Sequence, residues 1–339
     1  MTSPLIIGHR GAPGYRPEHT RSSYELAMRQ GVDAVEPDVV VSRDGVLVVR
    51  HENEISATTD VSQHPEFAAR RTTKTIDGER LTGWFVEDFT WDELATLRCR
   101  ERLPVLRPAS AAFDDTEPML RLVDLFDLVA TTSATLERSV GVVVEIKHAT
   151  FFAGEGWDLA ALVDAEVRAA GWADGDRPLV FESFESTVLT RLSERGTAGT
   201  YIYLLDDTGT APDLLAAFGS AAPTYAETVT AAGLDGLVGR FDGISVAKSM
   251  ILAPDAEGRA TGPSPLTADA HERGLQVFTW TCRPENVFLL PGFRRGREEA
   301  AFGDYAAEWQ VIREAGIDGV FADYPDLGAA FFRSEGTAP

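Results

Sequence analysis

The amino-acid sequence predicts an α/β fold, a closed TIM (β/α)8 barrel with one long insertion between strands 2 and 3. Short runs of β-branched residues alternate with segments of helical period, a pattern typical of parallel strands joined by helices. Eight such units can be counted, which favours a closed barrel over an open sheet. The predicted strands cover residues 5–8, 34–40, 140–146, 178–183, 200–205, 243–247, 276–281 and 318–323.

The segments between these strands predict eight helices, and several of them end at a glycine such as Gly31 or Gly196. We expect the first helix to start with a capping box. In it the Ser22 hydroxyl accepts from a helix amide and the Glu25 carboxylate accepts from the amide of Ser22. The predicted helices cover residues 22–30, 119–130, 158–170, 186–195, 224–233, 266–273, 304–315 and 325–333.

Residues 52–118 interrupt the alternation of strands and helices. Connections of this length in compact folds are usually lids or small subdomains rather than plain turns. We therefore expect a single domain over residues 1–339 that contains residues 52–118 as an insertion subdomain.

Composition excludes several classes of protein. The 339 residues carry a formal net charge of −22, whereas nucleic acids and anionic membranes require a basic surface. We therefore expect no nucleic-acid partner and no stable membrane association. The two cysteines, Cys99 and Cys282, lack the spacing of a zinc site. The first residues show no signal-peptide pattern, so we expect a cytoplasmic protein, or a secreted or periplasmic one if a signal peptide has been removed.

Ionisable residues follow the predicted strands at the end of a barrel where reactive groups normally lie. The carboxylates of Glu36, Asp38 and Glu145 come from strands two and three. Side chains two residues apart on a strand share a face, so all three can point inward. Three carboxylates brought together would repel one another unless a cation neutralised them, and an all-oxygen set suits Ca²⁺ or Mg²⁺.

The segment from Asp38 to His51 predicts a β-hairpin, because Asp44 and Gly45 lie between alternating apolar residues. A two-residue turn at these positions would place Asp38 opposite His51. Cross-strand partners lie about 5 Å apart, so His51 is expected beside the carboxylates.

Two histidines could divide the proton transfers in cleavage of a phosphodiester. His9 follows the first strand, and the ordinary pKa of imidazole, near 6.5, suits both an acid and a base. The guanidinium of Arg10 could grip phosphate oxygens, and Lys147 could add a second positive charge. His19, His64 and His271 lie in predicted loops or helices and are interpreted as structural, while the role of His148 stays open.

Two aromatic residues lie near the same end of the barrel. Phe184 follows the fourth strand and Trp280 ends the seventh. Both could pack the top of the barrel, and both could equally form an apolar wall for a substrate.

The run HRGAPGYRPEHTRSSYELAMRQGVDAVEPDVVVSRDGVLVVRHE resembles the glycerophosphodiester phosphodiesterase family. The later segments VVVEIKH, ESF, FTWT and GVFADYP occur in the expected order. TTDV, WFVEDFT and LPVLRP resemble the longer periplasmic and plant type. One departure is His19, where many relatives have asparagine.

The resemblance implies hydrolysis of glycerophosphodiesters to sn-glycerol 3-phosphate and an alcohol with one divalent cation. It also implies the roles of individual residues, and in that family the glycerol 2-hydroxyl is thought to attack phosphorus before water completes the reaction. The implied metal ligands are Glu36, Asp38 and Glu145, the catalytic pair is His9 and His51, and Arg10 and Lys147 lie on the phosphate side.

Two alternatives remain open at this point. A lysophospholipase D would use the same metal site on long-chain substrates, but no amphipathic segment stands out in the sequence. A barrel that binds phosphate esters without catalysis is the second alternative, because fold does not fix function. The sequence does not determine the preferred alcohol, the native metal or the oligomeric state.

Overall fold

A computed structural model describes residues 3–260 and 262–334. The outermost residues of the predicted domain, 1–2 and 335–339, lie outside the described residues, as does position 261. The described part of the chain is an α/β barrel. Its strands are β1 (Leu5–His9), β2 (Ala34–Glu36), β3 (Asp38–Val41), β4 (Leu47–Val49), β5 (Thr72–Ile76), β6 (Glu79–Gly83), β7 (Gly141–Ile146), β8 (Leu179–Ser183), β9 (Thr200–Leu205), β10 (Gly243–Ala247), β11 (Gln276–Cys282) and β12 (Gly319–Ala322).

The predicted eight-stranded barrel is confirmed. Parallel pairing runs from β1 through β2, β7, β8, β9, β10 and β11 to β12, and β12 pairs with β1 to close the ring. The interior is filled by inward-facing side chains, as expected for a barrel of this size. These are Ile7, Ala34, Val143, Val180, Ile202, Phe278 and Phe321.

Helices surround the barrel, and a larger apolar cluster lies between them and the strands. None of the helices in the described residues is both long and apolar enough to cross a lipid bilayer. The helices are α1 (Arg21–Arg29), α2 (Trp91–Leu94), α3 (Pro108–Ala111), α4 (Leu122–Thr135), α5 (Ala149–Gly154), α6 (Leu159–Ala169), α7 (Ser186–Glu194), α8 (Pro212–Phe218), α9 (Tyr225–Thr228), α10 (Ala231–Asp235), α11 (Lys248–Leu252), α12 (Leu266–His271), α13 (Tyr305–Glu314) and α14 (Pro325–Arg333).

The helix predicted over residues 224–233 is two short helices, α9 and α10. Thr230 has extended backbone angles, and its hydroxyl accepts a hydrogen bond from the amide of Gly233. This is the geometry of a helix N-cap, so the side chain of Thr230 starts a second helix instead of continuing the first.

The capping box predicted at Ser22 is wrong. Thr20 is the N-cap of α1, and its hydroxyl accepts from the amide of Ser23 at 3.3 Å. Ser22 lies inside the helix, where its amide and hydroxyl both donate to the carboxylate of Glu117. The side chain of Ser22 therefore joins the helix to the insertion.

The predicted second strand is divided at Pro37. β2 ends at Glu36, and β3 continues alongside β7 and forms an antiparallel hairpin with β4. In the hairpin, Val40 faces Val48, and the amide of Arg50 donates to the carbonyl of Asp38. The observed register therefore differs from the predicted one by one residue. Its loop has three residues, with Gly45 in the left-handed region at φ 84°. Asp38 thus lies opposite Arg50, and the predicted pairing with His51 is wrong.

The insertion lies over the carboxyl end of the barrel. It contains the β5–β6 hairpin and the short helices α2 and α3. Its apolar side chains belong to the same cluster as those around the barrel, with Phe67 and Phe89 in edge-to-face contact at 5.1 Å. Shared apolar packing fixes the insertion against the barrel.

Candidate active site at the carboxyl end of the barrel

Three carboxylates converge at the ends of β2, β3 and β7. Asp38 and Glu145 are register partners on neighbouring strands, and Glu36 lies two residues before Asp38. One oxygen from each of Glu36, Asp38 and Glu145 lies within 4.8 Å of the others, and all three side chains are buried. The predicted convergence of these carboxylates is confirmed.

This carboxylate cluster carries more negative charge than its neighbours neutralise. The ammonium of Lys147 contacts Glu145 and lies 3.2 Å from Asp38. Burial and the adjacent carboxylates hold the pKa of Glu36 well above its usual range, and burial raises the pKa of Glu145 to about 8. Within the described residues, Oε1 of Glu36 has no hydrogen-bond partner. Buried oxygen ligands of this kind fit a hard divalent cation.

A fourth carboxylate, that of Glu182, adjoins the cluster. Glu182 is the register partner of Glu145 on β8 and is 1% exposed. Burial and the nearby charges of Glu145 and Asp38 hold its pKa well above the usual range. Sequence reasoning missed Glu182, although a single acidic residue inside the apolar run LVFES was a signal.

Arg10 and His19 both contact residues of the carboxylate cluster. The amide of Arg10 donates to Glu36 at 2.8 Å, and its guanidinium lies 3.1 Å from Glu18 and 3.3 Å from Asp38. His19 is fully buried, with Nε2 2.9 Å from Oδ2 of Asp38. The interpretation of His19 as a plain structural residue therefore missed its contact with a candidate metal ligand.

His9 ends β1 beside the cluster and is oriented by a carboxylate. Its Nδ1 lies 2.6 Å from Asp323, which directly follows β12. Asp323 also accepts from Arg107 at 2.6 Å and from Arg283 at 2.7 Å. Burial and the neighbouring Arg10 lower the pKa of His9 to about 4. Asp323 was not predicted, although an acidic residue directly after the last strand was a signal.

His51 is also oriented by a carboxylate. Its Nδ1 lies 2.5 Å from Glu52, which accepts in turn from Arg102 at 2.5 Å. Burial and the charges of Arg10 and Lys147 lower the pKa of His51 to about 3. A carboxylate at Nδ1 leaves Nε2 of both histidines for other partners. The surroundings of His9 and His51 both favour the neutral form of the imidazole.

A cavity of about 610 Å³ begins at His51, Glu145 and Lys147 and extends outward to the tip of the β5–β6 hairpin. Phe184 lines this cavity, and its ring lies edge-to-face with that of Trp280 at 5.7 Å. Trp280 packs on the apolar side chains inside the barrel. Of the two aromatic residues considered from the sequence, Phe184 faces the cavity and Trp280 supports it.

Sequence comparison places the chain among known proteins. The model of the glycerophosphoryl diester phosphodiesterase family matches residues 9–327. The glycerophosphodiester phosphodiesterase GDPD6 of Arabidopsis thaliana is 30% identical, over 95% of this chain and 84% of the relative. A glycerophosphodiester phosphodiesterase of Treponema pallidum is 24% identical, over 96% of this chain and 91% of the relative.

Solved structures share the fold. A phosphodiesterase from Oleispira antarctica, in complex with the product sn-glycerol-3-phosphate, superposes with a TM-score of 0.64 at 19% identity, covering 98% of each chain. A glycerophosphodiester phosphodiesterase from Agrobacterium tumefaciens has a TM-score of 0.57 at 20% identity, covering 96% of this chain and 99% of the other.

Proposed function

The chain belongs to the glycerophosphoryl diester phosphodiesterase family, and from this premise we propose that it hydrolyses glycerophosphodiesters to sn-glycerol 3-phosphate and an alcohol with one divalent cation. The observation that carries the proposal is the buried carboxylate cluster between two carboxylate-oriented histidines. The product held by the Oleispira antarctica relative supports the same reaction.

The residues that would hold the cation are Glu36, Asp38 and Glu145. Their donor set consists only of carboxylate oxygens, which suits Ca²⁺ or Mg²⁺ better than a softer metal. A bound cation would supply positive charge to the phosphoryl oxygens as negative charge accumulates on them.

His9 and His51 would carry the proton transfers. When Asp323 and Glu52 accept Nδ1–H, the Nε2 atom of each neutral ring has a free lone pair and can take a proton. One imidazole removes the proton of the attacking hydroxyl, and the other protonates the leaving alcohol. An anionic phosphodiester between them favours the charged imidazolium, and so raises the pKa of the ring that acts as the acid.

Arg10 and Lys147 would stabilise the phosphate. Both lie against the carboxylate cluster, where Lys147 contacts Glu145 and Arg10 contacts Asp38. Their positive charges are therefore near the position of a phosphoryl group at the cluster. The planar guanidinium of Arg10 suits two phosphate oxygens at once, whereas the ammonium of Lys147 acts as a point charge.

For the attacking group we propose the substrate's own glycerol 2-hydroxyl. It would form a bond to phosphorus as the bond to the alcohol breaks, and water would then open the resulting cyclic phosphate. An attacking group already tethered to the phosphate has a high effective concentration. Hydrolysis of a 2-deoxy glycerophosphodiester as fast as the parent compound would instead indicate direct attack by water.

The deciding experiment measures glycerol 3-phosphate released from glycerophosphocholine by the purified protein with Ca²⁺ or Mg²⁺, and then after addition of a chelator. We expect release that stops with the chelator and returns with excess cation. Release that the chelator does not affect would contradict the metal site. A protein that releases nothing from any glycerophosphodiester, but cleaves a long-chain lysolipid, would be a lysophospholipase D.

A further inference from the structure

The outer part of the cavity, which we call the outer cavity, is formed by the insertion on one side and by segments that follow the barrel strands on the other. The tip of the β5–β6 hairpin contributes Asp77 and Glu79 from the insertion. The segments that follow β8 and β9 contribute Phe184, Glu185 and Asp206, and α9 contributes Tyr225. The insertion thus covers the side of the cavity that faces away from the carboxylate cluster.

The acidic residues of the outer cavity lack a lysine or arginine of their own. The two basic residues of that type among the lining residues, Lys147 and Arg102, are both engaged deeper in the site. Lys147 contacts Glu145, and Arg102 lies 2.6 Å from Glu18 and 2.5 Å from Glu52. Asp77 lies 2.6 Å from Nδ1 of His148, whereas Glu79, Glu185 and Asp206 have no ion pair within the described residues, so acidic groups outnumber basic ones in the outer cavity.

Glu185 is the most informative of these acidic residues. It is 2% exposed, and its Oε2 accepts from the amide of Thr150 at 2.8 Å. Its Oε1 has no hydrogen-bond partner in the part of the chain that the structure describes. Burial raises the pKa of Glu185 to about 7 and also raises the pKa of Asp206. A cationic group in the outer cavity would favour the ionised form of both carboxyl groups.

Aromatic rings accompany these carboxylates. The rings of Phe184 and Tyr225 lie edge-to-face with centroids 6.2 Å apart. The ammonium of Lys147 already lies 5.7 Å from the centre of the Phe184 ring, on the inner side of the cavity. Aromatic rings beside carboxylates are the usual surroundings of a bound ammonium group.

The position of the outer cavity identifies the part of the substrate that it would receive. The phosphate must lie at the carboxylate cluster, where Arg10 and Lys147 are. A glycerol unit occupies only a small part of about 610 Å³, so room remains for the alcohol on the other side of phosphorus.

We propose that the outer cavity is the alcohol subsite and that it selects glycerophosphodiesters of positively charged alcohols, of the choline and ethanolamine class, over neutral and anionic ones. This inference rests on the proposed function. The carboxylates attract the ammonium group, and the rings of Phe184 and Tyr225 cover its apolar substituents.

The test compares two substrates of the same shape. One is glycerophosphocholine, and the other is the glycerophosphodiester of 3,3-dimethylbutanol, in which carbon replaces the quaternary nitrogen. We expect kcat/KM to be at least about tenfold higher for glycerophosphocholine at low ionic strength, the scale of a few partly solvated charge contacts. We also expect this preference to shrink as salt is added, because exposed charges are screened.

The double substitution Glu79→Gln and Asp206→Asn tests the residues themselves. Neither side chain is fully buried, so the fold should tolerate both changes. We expect the ratio of the two kcat/KM values to fall roughly fivefold to tenfold, because two charges near the ammonium are removed. Glu272→Gln is the matched control, since Glu272 is exposed on the turn after α12 and lies outside the cavity lining.

The outcomes separate the two proposals. Equal rates on the charged and neutral esters, or an unchanged ratio in the double variant, would overturn the alcohol subsite and leave the phosphodiesterase activity standing. Absence of hydrolysis of any glycerophosphodiester would overturn the proposed function and this inference with it.

Discussion

At the scale of single residues, His9 and His51 have the same kind of hydrogen-bond partner. Each donates Nδ1–H to a carboxylate, and each carboxylate is itself held by an arginine. A hydrogen bond at Nδ1 fixes both the tautomer and the angle of the ring. Asp323 and Glu52 are therefore positioning residues for His9 and His51.

Substitution of either histidine should abolish most of the activity. We expect His9→Ala and His51→Ala each to lower kcat by at least about 10²-fold, the usual contribution of an acid or base group. Far-ultraviolet circular dichroism should show an unchanged fold. His271→Ala is the control, because His271 lies on α12 and pairs with Asp318 away from the cavity. Wild-type turnover in both active-site variants would refute the assignment.

Loss of a metal ligand should be visible without an activity assay. We expect Glu36→Ala to weaken Ca²⁺ affinity by at least roughly tenfold in isothermal titration calorimetry, because the number of charged ligands sets affinity. Unchanged Ca²⁺ affinity would exclude Glu36 as a ligand.

Some of these residues could be predicted from the sequence and others could not. Positions after successive strands identified Glu36, Asp38, Glu145 and their basic neighbours, because parallel strands end at one edge. The partner of His9 depends on which distant segments meet, and Asp323 is 314 residues away from it in sequence. The position of Asp323 after the last strand could indicate a residue of the site, but local pattern does not show that it contacts His9.

At the scale of secondary-structure elements, α6 contains a half-buried carboxyl group, that of Glu166, whose loss of hydration outweighs the nearby charge of Arg121. Burial raises the pKa of Glu166 to about 7, and its Oε1 has no hydrogen-bond partner within the described residues. In the unfolded chain the same group titrates near 4.5. The folded protein therefore binds a proton there that the unfolded chain has already lost.

This difference predicts a pH-dependent effect of Glu166→Gln. Because the folded-state pKa is the higher one, the stability present at low pH is lost as the pH rises from about 4.5 through about 7. Glutamine does not titrate, so the variant does not lose this stability as the pH rises. We expect the variant to raise the free energy of unfolding by roughly 1–2 kcal/mol at about pH 8 and by far less at about pH 5. Urea denaturation at both pH values measures this, and an equal effect at both would contradict the assignment.

The presence and order of the strands and helices were predicted better than their first and last residues. The turn at Asp44 and Gly45 was recognised, but a three-residue loop took the place of the two-residue turn and moved the pairing of Asp38 by one position. Both loops accommodate a glycine with positive φ, so the dipeptide alone does not distinguish them. The start of α1 moved to Thr20 because Ser22 is hydrogen-bonded to the distant Glu117.

At the scale of the whole molecule, buried ion pairs fasten the insertion to the barrel. Arg107 comes from the insertion, and its side chain is 3% exposed between Glu285 and Asp323. Its position was not predictable, because the sequence indicates that an insertion exists but not where it docks. The same arginine contacts the carboxylate that orients His9, so docking of the insertion is coupled to the site.

Removal of this arginine should affect stability and activity together. We expect Arg107→Ala to lower the free energy of unfolding by about 3–5 kcal/mol, because the buried Glu285 loses its ion pair and the buried Asp323 loses one of its two arginines. The value of kcat should fall as well, since Asp323 is then held by one arginine, Arg283, instead of two and orients His9 less firmly. Urea denaturation and steady-state kinetics measure the two effects. Arg273→Ala is the control, as the ion pair of Arg273 is with the exposed Asp235. Full stability in Arg107→Ala would contradict the proposed docking.

The pairing of β12 with β1 has a consequence for the timing of synthesis. A growing chain exposes His9 to solvent long before Asp323 has been translated. His9 can contact Asp323 only after β12 has paired with β1 and closed the barrel. In the proposed mechanism, phosphodiester cleavage therefore requires a closed barrel, because only then does His9 have its carboxylate partner.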